Sequence, residues 1–226
     1  MRSIPAKLVA WEEIAEWCAE LGRMVADSGF RPDAVIGMAR GGWVPARLVC
    51  DELLSKNLIS LKTQHWGVTA SRDGKAKLVG EIQEEIAGKD VLIVDDITDT
   101  GDSLKLAFEH AQSLSPKTVK TSTMLHITHS GFVPDYYAKE VEKEKWTWFV
   151  FPWNYYEDMG TFVREILVEK PLGAWDIGSF LRKNHGIIMT EGRLDRTLAR
   201  LELLGLIRQI GSTWSVVIQD KKEKKA

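Results

Sequence analysis

VLIVDDITDTGDS, residues 91–103, decides the fold. Four apolar residues run into Asp95 and Asp96, and Thr100, Gly101, Asp102 and Ser103 precede the helically spaced LKLAFEHAQSL (104–114). An apolar run without polar alternation marks a strand buried on both faces, the habit of a parallel sheet covered by helices. The two aspartates therefore stand at its carboxyl end and the Thr-Gly-Asp-Ser stretch opens the next helix. The same order occurs upstream, where DAVIGM (33–38), bounded by Pro32 and by Gly41-Gly42, precedes helical spacing from Trp43 to Lys56. Further strands are predicted at NLISLKTQHW (57–66), TVKTSTMLHI (118–127) and KWTWFVFPW (145–153), and a first helix over Leu8–Val25, whose apolar residues recur at three and four. Strands alternating with helices predict an α/β fold with a doubly wound, mainly parallel sheet. VTASRDGKAKLVG (68–80) has no period and reads as a mobile loop.

The rest of the chain bounds this reading. With 226 residues and 44% hydrophobic content, the chain can bury one full core and a small second one. No stretch approaches the roughly 18 apolar residues of a membrane span, and the opening MRSIPAKLVAWEE turns acidic where a secretion signal stays apolar. Cys18 and Cys50 each lie in a helical pattern, away from a second thiol, so a disulfide framework is excluded and a reducing, cytoplasmic setting is expected. A net charge of −2 exerts no general pull on nucleic acid. The balance nevertheless shifts along the chain: residues 1–172 carry 20 basic and 26 acidic side chains, residues 173–226 carry 10 and 6. A main domain over 1–170 and a small, mainly helical extension over 171–226 are predicted. The extension reads as helices at Trp175–Asn184 and Glu191–Leu204, followed by GLIRQIGSTWSVVIQ as a hairpin or a third helical element.

The acidic loop also carries chemistry. Free N–H groups at a helix start, aided by Thr and Ser hydroxyls, cradle a phosphate dianion. Carboxylates beside it suit ribose hydroxyls and a magnesium-bound sugar, with Asp95 and Asp96 as the residues nearest the metal. Neither GxxxxGK[ST] nor GxGxxG occurs, so nucleotide hydrolysis and dinucleotide redox chemistry lack their signals.

Asp95 to Ser103 also resembles the DDxxDTGxS signature with which type I phosphoribosyltransferases bind 5-phosphoribosyl 1-pyrophosphate (PRPP), and the likeness extends over about residues 30–160. It implies that Asp95 and Asp96 face the ribose 2- and 3-hydroxyls, that Thr100, Gly101, Asp102 and Ser103 surround the 5-phosphate, and that Asp99 faces N7 of a purine. VIGMARGGWVPA (35–46) is similar to the pyrophosphate loop of xanthine-guanine members, implying roles for Ala39, Arg40 and Gly41 and a cis Ala39-Arg40 peptide. KWTWFVFPWN resembles the base-holding segment of 6-oxopurine members, with Trp148 stacking on the purine and Phe149 offering its main chain, while Trp146 packs in the core. The 67–79 loop, with Thr69, Ser71 and Arg72, would close over the sugar. The resemblance further implies Mg2+, a PRPP and purine-base substrate pair, and a homodimer.

Two departures bear on the base. Aligned by Asp135-Tyr136-Tyr137, His126 stands where 6-oxopurine enzymes place a lysine that donates to O6, which tilts the choice toward adenine. Asn154 stands where they carry an aspartate, so either Glu157 or Asp158 takes its part or one metal contact is lost. A 6-oxopurine scaffold without its lysine but with a helical extension resembles archaeal adenine phosphoribosyltransferases, so transfer to N9 of adenine, giving AMP and pyrophosphate, is the first expectation. A hypoxanthine, guanine or xanthine enzyme is the alternative. A PRPP-sensing DNA-binding regulator is the second, because LARLELLGLIRQIGSTWSV resembles the recognition helix and wing of a winged helix, with Arg193, Arg196 and Arg200 at helical spacing. The small tail excess, concentrated in the terminal KKEKK, weighs against nucleic acid and for a cap over the site or a dimer surface.

Overall fold

A computed structural model describes residues 3–65, 76–82 and 84–217. In chain order the elements are β1 (Ala6–Leu8), α1 (Trp11–Asp27), β2 (Ala34–Ala39), α2 (Trp43–Glu52), β3 (Leu58–His65), β4 (Ala76–Leu78) and β5 (Asp90–Thr98). They continue with α3 (Asp102–Ser113), β6 (Thr118–Ile127), β7 (Tyr136–Val141), a 3-10 turn at Lys143–Lys145, β8 (Trp148–Val150) and α4 (Tyr155–Leu167). Last come α5 (Ala174–His185), α6 (Glu191–Leu203), β9 (Ile207–Ile210) and β10 (Thr213–Val216). Two compact units result, Trp11–Trp146 and Met1–Ala10 with Thr147–Ala226.

The larger unit is built on a six-stranded sheet of order β4-β3-β2-β5-β6-β7, parallel throughout except for the β3–β4 pair. β2 and β5 occupy its middle and are buried on both faces, which is why their sequences read as unbroken apolar runs. Ala34, Ile36, Met38, Val91 and Ile93 pack with Leu104, Ala107 and Ala111 of α3. On the opposite face α2 contacts β2 and β5, and α1 contacts α2, β6 and β7. α1 turns Ile14, Cys18, Leu21 and Val25 inward at the predicted spacing. The chain passes from β2 to β3 on one side and then to β5 on the other, so the winding reverses between β2 and β5. At such a switch point the loops leaving the carboxyl ends diverge and open a crevice. Cys18 and Cys50 are free and buried, and burial pushes the Cys18 thiol up to about 12. Among the described residues no helix is long and apolar enough to cross a membrane.

The smaller unit joins both ends of the chain. β1 pairs in parallel with β8, Ala6 opposite Trp148 and Leu8 opposite Val150, and His185 Nδ1 lies 2.8 Å from the Ile4 carbonyl. Its core draws Val150, Met159, Phe162 and Val163 together with Ile177, Leu181, Leu198, Leu201 and Trp214. The tail is thus two helices and a hairpin, β9 antiparallel to β10, with Leu172 and Trp214 exchanging backbone hydrogen bonds of 3.0 and 2.8 Å.

Several boundaries differ from the sequence reading. The smaller unit begins at Thr147 rather than near residue 171, because β8 and α4 bury their apolar sides in the same core as the tail helices. Residues 6–8 are a strand, and α1 starts only at Trp11, since pairing with β8 outweighs the helical spacing that Leu8 continues. The strand expected over 145–153 shrinks to Trp148–Val150, cut by the turn at Lys143–Lys145 and by Pro152, which has no N–H for a ladder. Part of the expected loop, Ala76–Leu78, is a strand antiparallel to β3. β7 and α4 lie outside the sequence reading: β7 has no strong period, whereas α4 turns Met159, Phe162, Val163, Ile166 and Leu167 inward at helical spacing.

Candidate active site

The switch point brings two loops together. Beyond Gly37, opposite Val94, the β2–β5 ladder ends; β2 runs on into Arg40-Gly41-Gly42 and β5 into its aspartates. The contact between them is close. A methyl on Gly41 would lie 2.0 Å from Asp96 Oδ2, and one on Gly42 would lie 2.6 Å from the Val94 carbonyl oxygen and 2.8 Å from Asp95 Oδ1. Only residues without a Cβ let the loop settle onto the carboxylates. The Ala39-Arg40 peptide is cis, as the resemblance implied, and Arg40 is exposed on the loop.

The two carboxylates are held by their own backbone: Asp96 N–H donates to Asp95 Oδ1 and Ile97 N–H to Asp96 Oδ1, both at 2.9 Å. Burial of the Asp95 carboxyl, followed by the charge of Asp96, holds its pKa well above the usual carboxylate range. A pair of this kind is relieved by hydroxyl donors or by a cation. Among the described residues no cluster of three or more His, Cys, Asp or Glu side chains could hold a metal by itself.

Thr100 and Gly101 then turn the chain into α3. Gly101 has φ 87°, a left-handed conformation that glycine adopts at little cost, and a methyl there would lie 2.6 Å from Ser130 Oγ and 2.8 Å from Phe132 N. Asp102 N–H donates to Thr100 Oγ1 at 3.3 Å, and Lys105 N–H closes the first helical bond to the Gly101 carbonyl at 2.9 Å. Asp102 is exposed and Ser103 half-buried, both in the first turn of α3, where N–H groups lack partners within the helix.

At the neighbouring strand end, His126 pairs in register with Thr98 and is only 4% exposed. Its ring lies 4.9 Å from that of Tyr137, and burial pushes its pKa down, leaving a neutral imidazole. His129, which the sequence reading passed over, places Nε2 2.9 Å from Asp99 Oδ1. The Asp135 landmark is structural: its carboxylate accepts from Lys120 Nζ at 2.7 Å, Thr121 N–H at 2.9 Å and Thr121 Oγ1 at 3.0 Å, setting β7 beside β6.

Arg40, Gly41, Asp95, Asp96, Asp99 to Ser103 and His126 are thus gathered at one end of the sheet. Trp148 and Phe149 stand on β8 in the smaller unit. Trp148 is half-buried and packs against that unit's core, whereas Phe149 faces the other way and its ring neighbours Phe151 at 6.5 Å. Trp148 N–H donates to the Pro5 carbonyl at 2.8 Å and Val9 N–H to the Val150 carbonyl at 3.0 Å. In a parallel ladder this alternation directs the N–H and C=O of Phe149 away from β1, to the open edge. Asn154 sits at the start of α4, with Glu157 exposed and Asp158 buried in its first turn. Thr69, Ser71 and Arg72 lie outside the described residues.

The family model for the phosphoribosyl transferase domain matches residues 6–159. A hypoxanthine phosphoribosyltransferase of Escherichia coli is 32% identical over 118 residues, 50% of this chain and 66% of that protein, so the chain spans just under two thirds of that relative's length. A xanthine-guanine phosphoribosyltransferase of Cereibacter sphaeroides is 31% identical over 157 residues, 65% of this chain and 85% of that protein. Among solved structures, a purine phosphoribosyltransferase from Pyrococcus horikoshii superposes with a TM-score of 0.57 at 29% identity, over 66% of this chain and 94% of that one.

Proposed function

The chain belongs to the phosphoribosyl transferase family, and from this we propose that it transfers the 5-phosphoribosyl group of PRPP to N9 of a purine, releasing pyrophosphate. The observation that carries the reading is the closure of Gly41 and Gly42 onto Asp95 and Asp96 at the β2–β5 switch point. It sets an anion loop against two carboxylates that answer to a sugar. Asp95 and Asp96 accept from the ribose hydroxyls, and the loop and first turn from Thr100 to Ser103 hold the 5-phosphate with N–H groups and hydroxyls. Arg40 and the Ala39–Gly41 backbone receive the pyrophosphate, Arg40 through its planar fork of donors. Asp99 accepts the N7 proton as N9 becomes the nucleophile. For the base, Phe149 offers main-chain N–H and C=O groups and Trp148 an aromatic face. Two carboxylates, with no larger metal-holding cluster among the described residues, suit a magnesium ion that keeps most of its ligands from water and substrate oxygens. Such an ion would be held near Asp95 and Asp96 and would neutralise charge on the leaving pyrophosphate.

Two base preferences have separate support. A 6-oxopurine acceptor follows from the relatives, which are named for hypoxanthine and for xanthine and guanine. Adenine follows from His126, a buried neutral ring where a cationic donor to O6 would stand. A homodimer in the cytoplasm is consistent with the family. The test mixes protein, magnesium and PRPP with adenine, hypoxanthine, guanine or xanthine and follows nucleotide formation by ultraviolet absorbance. Turnover of adenine alone would establish the His126 argument, and turnover of an oxopurine would establish the other. PRPP binding without turnover of any base would instead favour a PRPP-sensing regulator.

A further inference from the structure

We propose that Gly131, in the turn between β6 and β7, is a positioning residue for the 5-phosphate loop: its N–H pins the Thr100 carbonyl and so turns Gly101 N–H toward the phosphate. This rests on the phosphoribosyl transfer reading and adds a residue to it. Gly131 N–H donates to the Thr100 carbonyl at 2.9 Å. The Thr100-Gly101 peptide is trans, and in a planar trans peptide the C=O and the following N–H point in opposite directions. With the carbonyl held against the turn, Gly101 N–H faces the other way, where it can serve an anion. A flip of this one peptide would put a carbonyl oxygen where the donor stood, and that oxygen repels a phosphate dianion.

Nothing in Gly101 itself prevents the flip, since glycine adopts positive and negative φ about equally. The restraint comes from the turn. A methyl on Gly101 would lie 2.6 Å from Ser130 Oγ, 2.7 Å from Phe132 Cβ and 2.8 Å from Phe132 N, so the loop also rests directly on the residues flanking Gly131.

The turn is fixed from elsewhere. Ser130 N–H donates to the Ile127 carbonyl at 2.9 Å, and Thr128 N–H to the Val141 carbonyl at 3.0 Å, tying it to β6 and β7. Lys143 N–H donates to Thr128 Oγ1 at 2.9 Å. Ser130 Oγ donates to the Phe132 carbonyl at 2.9 Å and accepts from Phe132 N–H at 3.3 Å, which sets the shape around Gly131. The Phe132 ring lies 5.8 Å from that of Phe108 on α3 and packs against the core of the larger unit. The turn is therefore the fixed part, and the phosphate loop takes its conformation from it.

The test follows the reverse reaction, in which a purine nucleoside monophosphate and pyrophosphate give PRPP and the base, using a monophosphate whose base the wild type turns over. One substrate carries the 5-phosphate and the other meets the Ala39–Gly41 loop, so two KM values read the two loops on one preparation. Gly131→Pro removes the N–H and is expected to raise KM for the monophosphate about tenfold, with KM for pyrophosphate changed by no more than about twofold. Gly131 lies outside the left-handed region, and a methyl on it would lie 3.6 Å from the Thr100 carbonyl oxygen. Gly131→Ala therefore keeps the donor and should show little of this loss. Ser130→Ala loosens the turn without altering its backbone and should raise the same KM about threefold; it decides the matter if the proline variant does not fold. Because KM does not depend on the amount of active enzyme, partial misfolding leaves the comparison intact. Both KM values raised equally, neither raised, or an alanine loss as large as the proline loss would overturn the role of Gly131 and leave the transfer reading standing. A wild type that consumes no monophosphate with pyrophosphate would overturn both, and it does so before any variant is made.

Discussion

Gly41 and Gly42 are neighbours in sequence, yet alanine at each should fail in a different way. A methyl on Gly41 meets the Asp96 side chain, at 2.0 Å from Oδ2 and 2.6 Å from Cγ. That side chain can rotate away, at the cost of the 2.9 Å hydrogen bond that its Oδ1 accepts from Ile97 N–H. A hydrogen bond to a charged group contributes about 1.5–3 kcal/mol, so the fold should lose about 2 kcal/mol. The displaced carboxylate no longer meets a ribose hydroxyl, which should weaken PRPP binding by about ten- to a hundredfold. A methyl on Gly42 instead meets backbone, 2.6 Å from the Val94 carbonyl oxygen and 2.7 Å from Asp95 Cα. Backbone in the central strand cannot rotate aside, so the cost is overpacking of about 3 kcal/mol or more. Denaturant unfolding of Gly41→Ala and Gly42→Ala, with calorimetric titration of PRPP and magnesium into each, separates the two. Equal stability losses with unchanged PRPP affinity in Gly41→Ala would refute the reasoning, because the loop would then not rest on the carboxylates.

Asp99→Asn should lower turnover by about a hundredfold while PRPP affinity changes little, and steady-state kinetics showing equal losses in both would sink the proton role. Burial and Asp96 hold the folded-state pKa of Asp95 above its unfolded value of about 3.9. The protonated form is therefore the one folding favours, and its contribution is lost as pH rises from about 4 through the raised value. Asp95→Asn should accordingly flatten this fall and stabilise the ligand-free protein at neutral pH while weakening PRPP binding; an unchanged unfolding profile between pH 4 and pH 8 would contradict it. Leu198 is fully buried in the core of the smaller unit, so Leu198→Ala should cost about 2–5 kcal/mol, read from the shift in denaturant midpoint.

The residues from 91 to 103 announced both fold and site because they do two local jobs at once. A strand buried on both faces must be apolar, and a phosphate loop must carry small and hydroxyl-bearing residues at the next helix start, so each requirement leaves its own mark on composition. The same holds for Ala34–Ala39 before Gly41-Gly42, for Thr118–Ile127, and for the α1 and α6 faces, whose spacing follows from burying one side of a helix. β7 left no such mark. It is an edge strand held by Asp135 and its bonds to Thr121, contacts fourteen residues apart that no periodicity records.

What the sequence alone determined is the chemistry that depends on neighbours along the chain: the order of strand, loop and helix, the acidic pair and the phosphate loop. Tertiary structure decided which distant segments meet. It paired Ala6–Leu8 with Trp148–Val150, drew α4 into the core of the tail, laid Gly41 against Asp96, and set His129 beside Asp99 across a gap of thirty residues. These meetings depend on sheet order and on the turn that Gly131 ties to Thr100. Local propensity is blind to them because the free energy that selects them comes from burial and hydrogen bonding between segments, not within one.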